Sequence, residues 1–192
     1  GMGISLVLYG CNLHWGVQQL DRSSAVVILQ PDGSVIVRVG LTDMGQGNLT
    51  AAQTIAAQAL GVAPAAVQVW QPDTTTVGDS GPTVASRGSQ MSGMAILDAV
   101  ARLRTRLDPV AAELLGCAAE EVELGGGFAT VRGQADRRVT VATVAAEMAS
   151  RRLECIATGW YRTTPREFDS ETGQGDPYEF YAMACHVARV AV

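Results

Sequence analysis

The chain has 192 residues, of which 47% are hydrophobic and 5% aromatic, and its formal net charge is −5. This length allows one or two domains with a substantial core, and the acidic balance argues against a basic nucleic-acid-binding face. A membrane-spanning helix is not predicted, because no stretch approaches about 18 uninterrupted apolar residues, and the first residues lack the pattern of a secretory signal.

The first predicted element is a β-hairpin. Two runs rich in β-branched residues, at 25–30 and 34–40, flank the sequence Pro31-Asp32-Gly33. A Pro-Asp-Gly segment between two such runs is a tight-turn signal. We therefore expect two antiparallel strands here.

A helix and a strand follow the hairpin. Strong helix formers at 51–60 predict the helix, with Asn48 or Thr50 as its capping residue. Gly61 then ends it in a left-handed conformation. The next strand is predicted at 67–71, which gives a strand–helix–strand order.

A long polar loop over residues 72–90 separates this strand from the next helices. Loops of this length in compact domains tend to be functional or disordered. Apolar residues on one face predict a helix over 93–107. Pro109 then suggests that a new helix starts at Asp108-Pro109, because proline fits the first helical position. Gly116 ends that second helix.

The remaining chain completes an α+β pattern. Thr140 is placed to cap a helix. Two strands are predicted at 121–124 and 128–132, and a helix at 141–149. Two final strands are predicted at 153–161 and 178–191. These elements predict a two-layer α+β fold with helices packed on a mixed β-sheet. We divide it into two subdomains, 1–107 and 108–192.

The segment Gly45-Gln46-Gly47 lies between a strand and a helix start. Glycines let a ligand approach the backbone, and a helix N-terminus offers free N–H groups and positive potential. Gln46 supplies both a hydrogen-bond donor and an acceptor. The combination suits a polar, anionic, heterocyclic cofactor, and the alternative is a simple tight turn.

The loop at 79–90 is the second candidate, because it also ends at a helix N-terminus. It offers the hydroxyl groups of Ser86 and Ser89, with Ser92 just beyond it, and the charge of Arg87, which can bind phosphate oxygens in a bidentate way. We expect this loop and residues 45–48 to lie on the same rim and to face one cofactor. The alternative is a solvated surface loop.

Other polar residues have simpler interpretations. Gly173-Gln174-Gly175 is predicted to be a turn, and His186 to be a packed histidine in a late apolar strand. The carboxylates of Asp43, Asp73 and Asp79 could form a set, but each also suits a turn or a helix cap.

The cysteines form no C-x-x-C pair. A structural zinc or a cysteine-bound cluster is therefore not favoured, since only His14 and His186 could complete it. We expect reduced, buried thiols in a cytoplasmic protein. The four cysteines are Cys11, Cys117, Cys155 and Cys185.

Taken together, several segments resemble the molybdopterin-binding subunit of the xanthine dehydrogenase/aldehyde oxidase family. The resemblance spans nearly the whole chain in order. The segments are TDMGQGNLTAAQTIAAQALGV, VQVWQPDTTTVGDSGPTVASR, MSGMAILDA, GWYRTT, EFDSETGQGDPYEFY and CHVARVAV.

The resemblance implies a molybdenum–molybdopterin cofactor, either plain or extended by a nucleotide as in the cytosine dinucleotide form, and a cofactor-binding-domain fold. It places iron–sulfur clusters and FAD on partner domains or subunits. The role of cofactor contact is implied less directly for Arg87, because family members differ at this position. The implied cofactor contacts are Gly45, Gln46, Gly47, Thr83, Val84, Ala85, Ser86, Arg87, Gly88 and Ser89.

The family reaction is hydroxylation of an aldehyde or N-heterocycle with water as the oxygen source. Its catalytic glutamate lies in a G-V-G-E motif, which this sequence does not contain. We therefore expect a fragment that is inactive alone, either a piece of a longer chain or part of a split subunit. Its expected partners are the rest of the molybdenum subunit, iron–sulfur and flavin subunits, and a small-molecule substrate.

Two further expectations follow. Surfaces that the family packs against the rest of the subunit should be exposed here and should promote self-association. The alternative to an enzyme fragment is a non-catalytic binding module with the same fold, because fold alone does not determine function.

Overall fold

The structure is a computed structural model that describes residues 1–13 and 16–191. Within these residues, helices pack on a four-stranded mixed sheet and on a three-stranded antiparallel sheet. The predicted α+β fold is therefore confirmed. The helices are α1 (Asn48–Leu60), α2 (Gly88–Leu115) and α3 (Val141–Ser150). The strands are β1 (Met2–Cys11), β2 (Arg22–Leu29), β3 (Val35–Val39), β4 (Val67–Trp70), β5 (Val122–Gly125), β6 (Phe128–Val131), β7 (Gln134–Thr140), β8 (Ile156–Arg162), β9 (Phe168–Asp169), β10 (Gln174–Gly175) and β11 (Phe180–Arg189).

The predicted hairpin forms the centre of the main sheet. β2 and β3 pair antiparallel, and the buried residues of β2 alternate along the strand, as Ala25, Val27 and Leu29 show. β4 joins β3 in parallel and β8 joins β2 antiparallel, so the order is β4-β3-β2-β8. Helices α1 and α2 cover the face on which these alternate residues lie.

The predicted break between two helices at Asp108-Pro109 is wrong, because α2 runs unbroken from Gly88 to Leu115 with Pro109 inside it. A proline in a helix interior removes one hydrogen bond and costs roughly 3 kcal/mol. The buried stripe continues across it through Leu103, Leu107 and Ala111, and its burial outweighs that cost.

The same helix joins the two predicted subdomains, 1–107 and 108–192. Buried residues on both sides of Pro109 belong to one hydrophobic cluster, which also contains residues of β2 and of α3. The division into two subdomains stays a prediction.

The later elements agree with the sequence pattern in part. The Thr140 side chain accepts a hydrogen bond from the Thr143 backbone N–H at 3.0 Å, which confirms the cap of α3. The two strands predicted at 121–124 and 128–132 are β5 and β6, which pair antiparallel, and β7 adds a third strand that the sequence did not predict. In the described part of the chain, no helix has the length and apolar character needed to cross a membrane.

The last predicted strand does not join the main sheet. β11 pairs antiparallel with β1 over ten residue pairs, which begin at Met2–Arg189 and end at Cys11–Phe180. These two strands form a separate two-stranded ribbon.

Candidate functional site

The loop that contains Gly45-Gln46-Gly47 is organised by the Asp43 carboxylate. It accepts hydrogen bonds from the backbone N–H of Gly45 at 2.8 Å and of Gly47 and Leu49 at 3.2 Å each. These bonds favour the charged form and hold the Asp43 pKa below its ordinary value. The predicted cap by Asn48 or Thr50 is therefore wrong.

Glycine is required at both flanking positions of this loop. Gly45 has a φ of 110° and Gly47 a φ of 86°, a region that residues with a side chain rarely adopt. A Cβ atom at either position would meet no neighbour within 4 Å. The glycines are thus needed for backbone conformation, and they leave open space beside the start of α1.

Gln46 is exposed, and its amide binds its own loop. The Oε1 atom accepts from the Met44 N–H at 2.6 Å, and Nε2 donates to the Thr42 carbonyl at 3.1 Å. Asn48 also donates to the Thr42 carbonyl, at 3.1 Å. These bonds hold the Gln46 side chain beside the opening, where its amide can exchange a loop partner for a ligand atom.

The second predicted loop lies directly against the first. Thr83 Oγ1 accepts a hydrogen bond from the Thr42 N–H at 2.9 Å and lies 3.1 Å from Thr42 Oγ1. Ala85 and Ser86 have φ angles of 54° and 51°, and α2 begins soon afterwards at Gly88. Strained backbone of this kind costs about 1–3 kcal/mol per residue and is often found at ligand sites.

The two loops enclose an open cleft of about 520 Å³. The N–H groups of the first turn of α2 have no partner inside the helix, so this end carries positive potential. The structure therefore brings the two predicted loops to one rim. The residues around the cleft are Met44, Gln46, Asn48, Thr83, Val84, Ala85, Ser86, Arg87, Gly88 and Ser89.

The Arg87 guanidinium is not the free positive charge that the sequence suggested. It is fully buried, and its Nε donates to Asp21 at 2.7 Å. Its other N–H groups donate to four backbone carbonyls, so all five donors are used. The buried Arg87 side chain thus stabilises the loop through hydrogen bonds to its backbone. The carbonyls are those of Leu20, Arg22, Ser80 and Pro82.

Asn12 is a residue beside the cleft that sequence reasoning missed. Its N–H donates to the Ala85 carbonyl at 2.8 Å, and its Nδ2 donates to Gln90 Oε1 at 2.6 Å. Its own φ is 69° and its Oδ1 is buried without a partner. A single asparagine after β1 gave no signal, because these contacts cross more than 70 residues of sequence.

The remaining candidates stay apart from this cleft. Gly173 lies in the turn between β9 and β10, as predicted, whereas Gln174 and Gly175 form β10 and pair with β9, which corrects the predicted turn at these two residues. His186 is exposed on the ribbon, which corrects its expected packing. Asp73 accepts hydrogen bonds from the Thr75 hydroxyl and backbone N–H, and Asp79 accepts one from the Gly81 backbone N–H; these bonds lower the pKa of each carboxyl. The turn-capping interpretation is thus confirmed.

The described residues contain no group of three or more histidine, cysteine or acidic side chains placed to hold a metal ion. The four cysteines are free: Cys11 is buried as expected, Cys117 and Cys155 are half-buried, and Cys185 is exposed, which corrects its expected burial. His14 lies outside the described residues.

A second open cleft, of about 550 Å³, is lined in part by Asp21. Gln18, Arg22, Trp160 and Arg162 are among the residues that line it. The described residues that line it include no N-terminus of a long helix, and Arg22 already binds the Asp79 carboxylate. We therefore treat it as the second candidate for binding an anionic cofactor.

A family model and several known proteins match this chain. The family model for a molybdopterin cofactor-binding domain matches residues 1–192. Xanthine dehydrogenase 2 of Arabidopsis thaliana is 26% identical over 99% of this chain and 12% of its own length. The nicotine 6-hydroxylase large subunit of Paenarthrobacter nicotinovorans is 33% identical over 76% of this chain and 18% of its own.

A solved structure supports the same relationship. Quinoline 2-oxidoreductase from Pseudomonas putida 86 superposes with a TM-score of 0.74 and 25% identity, over 92% of this chain and 26% of that one. The chain thus spans only 12% and 18% of the length of the first two relatives and 26% of the third. The match over all 192 residues shows that this chain belongs to the molybdopterin cofactor-binding domain family of the xanthine dehydrogenase-type molybdenum hydroxylases.

Proposed function

We propose that the two loops around the 520 Å³ cleft are the part of this chain that contacts a molybdopterin cofactor. The observation that carries the proposal is the meeting of a glycine loop with the N-terminus of α2, joined through Thr42 and Thr83. The proposed contacts are Gly45, Gln46, Gly47, Thr83, Val84, Ala85, Ser86, Arg87, Gly88 and Ser89, with Arg87 as part of the loop backbone.

The residues present fit such a group in three respects. Free N–H groups at the first turn of α2 match anionic oxygens such as those of a phosphate. The Gln46 amide matches the mixed donors and acceptors of a pterin ring. The buried Oδ1 of Asn12, which has no partner among the described residues, is an acceptor beside the same loop. A nucleotide extension, including a cytosine dinucleotide, would add further anionic oxygens.

When bound, the cofactor would supply the metal and redox chemistry, because proteins of this kind position a cofactor that performs the difficult step. The residues of this chain would bind and orient it. Gln46 would hold its polar edge, and the first turn of α2 would neutralise part of its charge. The strained pair Ala85 and Ser86 fixes the direction of the second loop.

The complete protein would be a molybdenum-containing oxidoreductase that hydroxylates an aldehyde or an N-heterocycle. We further propose that its remaining polypeptide supplies the catalytic glutamate and that this chain is inactive alone. Iron–sulfur and flavin domains or subunits would carry electrons away. The free cysteines fit a reducing compartment such as the cytoplasm.

The experiment compares two glutamine variants of the complete enzyme. Gln46→Ala removes the amide at the cleft, and Gln58→Ala removes an exposed glutamine on α1 as the matched control. Losing one buried hydrogen bond to the cofactor costs about 1–3 kcal/mol, which is roughly a five- to 150-fold weakening. We expect reduced molybdenum and pterin content, or reduced turnover, in Gln46→Ala alone. Equal content and turnover in both variants would remove Gln46 from the site.

A further inference from the structure

Asn12 connects two parts of the second cofactor loop. Its backbone N–H donates to the Ala85 carbonyl at 2.8 Å, in the strained turn. Its side-chain Nδ2 donates to Gln90 Oε1 at 2.6 Å, in the first turn of α2. One residue just after β1 is therefore bonded both to the turn and to the helix start that follows it.

The bond to Gln90 reaches a residue that carries part of the proposed binding surface. The first-turn N–H groups of α2 are those of Gly88, Ser89 and Gln90, and such groups have no partner inside a helix. Their direction decides where an anionic oxygen can be held. Because Asn12 is bonded to both segments, it resists a shift of this helix end against the turn that precedes it.

Asn12 is buried and is not one of the residues that line the cofactor cleft. It is 1% exposed, whereas Ala85 lies at the cleft itself. An effect of the Asn12 side chain on a bound cofactor must therefore pass through its neighbours. We call Asn12, Ala85 and Gln90 together the Asn12 clamp.

The asparagine at this position has features that are unfavourable for fold stability. Its φ of 69° lies in the left-handed region, which glycine adopts without steric cost. Its Oδ1 is buried without a partner among the described residues, and an unpaired buried acceptor is destabilising. Glycine would permit the same backbone and bring no unpaired oxygen. The bond to Gln90 is thus a better reason for this side chain than fold stability.

We propose that Asn12 is a positioning residue for the proposed cofactor site, and that its side chain aligns the first turn of α2 with the Ala85–Ser86 turn. The proposal rests on the proposed function, because it assumes that these two segments contact the cofactor. It predicts that loss of the Asn12 side chain weakens cofactor retention while the stability of the fold hardly changes.

The test replaces Asn12 by glycine. Asn12→Gly permits the positive φ and keeps the backbone N–H for the Ala85 carbonyl, but it removes the bond to Gln90 and the unpaired Oδ1. In the complete enzyme, pterin fluorescence follows the rate at which the cofactor is released. We expect release to be about three- to tenfold faster, the effect of one hydrogen bond. The melting temperature of the 192-residue chain should change by less than about 2 °C.

A second variant removes the same bond from the other side. Gln90→Met keeps the length of the side chain but offers no amide oxygen to Asn12 Nδ2. It must speed cofactor release to a similar extent, and the double variant should release the cofactor no faster than the more affected single variant. Additive effects would show that the two side chains act separately and would overturn the proposal. If Asn12→Gly does not fold, Gln90→Met decides by the same readouts.

Thr140→Ala is the matched control for stability. It removes the cap of α3, which is not among the residues around the cleft, so it should lower the melting temperature by about 2–4 °C without changing release. A purely structural role for Asn12 would give the same result as this control. Such a result for Asn12→Gly would overturn the proposal.

Gln46→Ala, measured in the same release assay, separates the two levels of the argument. Faster release in Gln46→Ala with normal release in Asn12→Gly would leave the proposed site intact and refute the role of Asn12. Normal release in both variants would contradict the proposed function and the role of Asn12 together.

Discussion

Replacing Arg87 tests the internal support of the cofactor loop. Arg87→Met keeps a long apolar side chain in the buried space but removes all five hydrogen-bond donors. The Asp21 carboxylate, whose side chain is 1% exposed, then loses its ion-pair partner at 2.7 Å. Among the described residues it keeps the hydrogen bond from the Leu13 N–H at 2.8 Å.

The expected cost follows from this burial. Breaking a buried ion pair by removing one partner costs about 3–5 kcal/mol, because the other charge stays buried and uncompensated. Four backbone carbonyls also lose the hydrogen bond that they accept from Arg87. Since a domain is stable by only about 5–15 kcal/mol, we expect Arg87→Met to remove a large share of the free energy of unfolding.

Urea unfolding followed by circular dichroism measures this change. Arg102→Met is the matched control, because its ion pair with Asp98 lies on the surface and should contribute less than about 0.5 kcal/mol. The double variant Asp21→Asn/Arg87→Met should recover part of the loss, since the unpaired charge is gone. A loss below about 1 kcal/mol in Arg87→Met would refute the reasoning.

Three further changes test the loops and turns. Gln46→Ala removes two exposed hydrogen bonds within its loop, so its effect on the free energy of unfolding should stay below about 1 kcal/mol, and a large melting shift would make it a structural turn residue. Asp43→Asn should destabilise the chain at neutral pH. The folded-state pKa of Asp43 is lowered, so the stability that the native carboxylate contributes is complete above the unfolded pKa of about 3.9 and is lost as the pH falls through the folded pKa. Melting temperatures of the two proteins that run parallel across pH 2–7 would contradict this. Gly61→Ala should lower the melting temperature more than Gly126→Ala. Both glycines have positive φ angles, of 66° and 58°, but only at Gly61 would a Cβ atom lie 2.4 Å from the Gly125 nitrogen, so equal shifts would argue against this packing.

The local elements could be predicted from the sequence because their signals are local. The Pro31-Asp32-Gly33 turn fixes the β2–β3 hairpin, and Gly61 ends α1 with a φ of 66°. Thr140 caps α3 through a residue only three positions away. The glycine loop and the second loop were also recognisable, since each precedes a helix start.

Features that depend on distant residues could not be predicted in this way. The continuity of α2 through Pro109 depends on a core built from many elements. The pairing of β1 with β11 joins opposite ends of the sequence. Arg87 looks like a ligand for phosphate until Asp21, 66 positions away, is seen beside it.

The central claim is that the glycine loop and the start of α2 together hold the cofactor, and a structure of the cofactor-loaded molybdenum subunit tests it most directly. We predict cofactor atoms within about 3.2 Å of the Gln46 amide and of the first-turn N–H groups at 88–90. A cofactor seated against Gln18, Trp160 and Arg162 in the other cleft, with the Gln46 loop empty, would contradict the account.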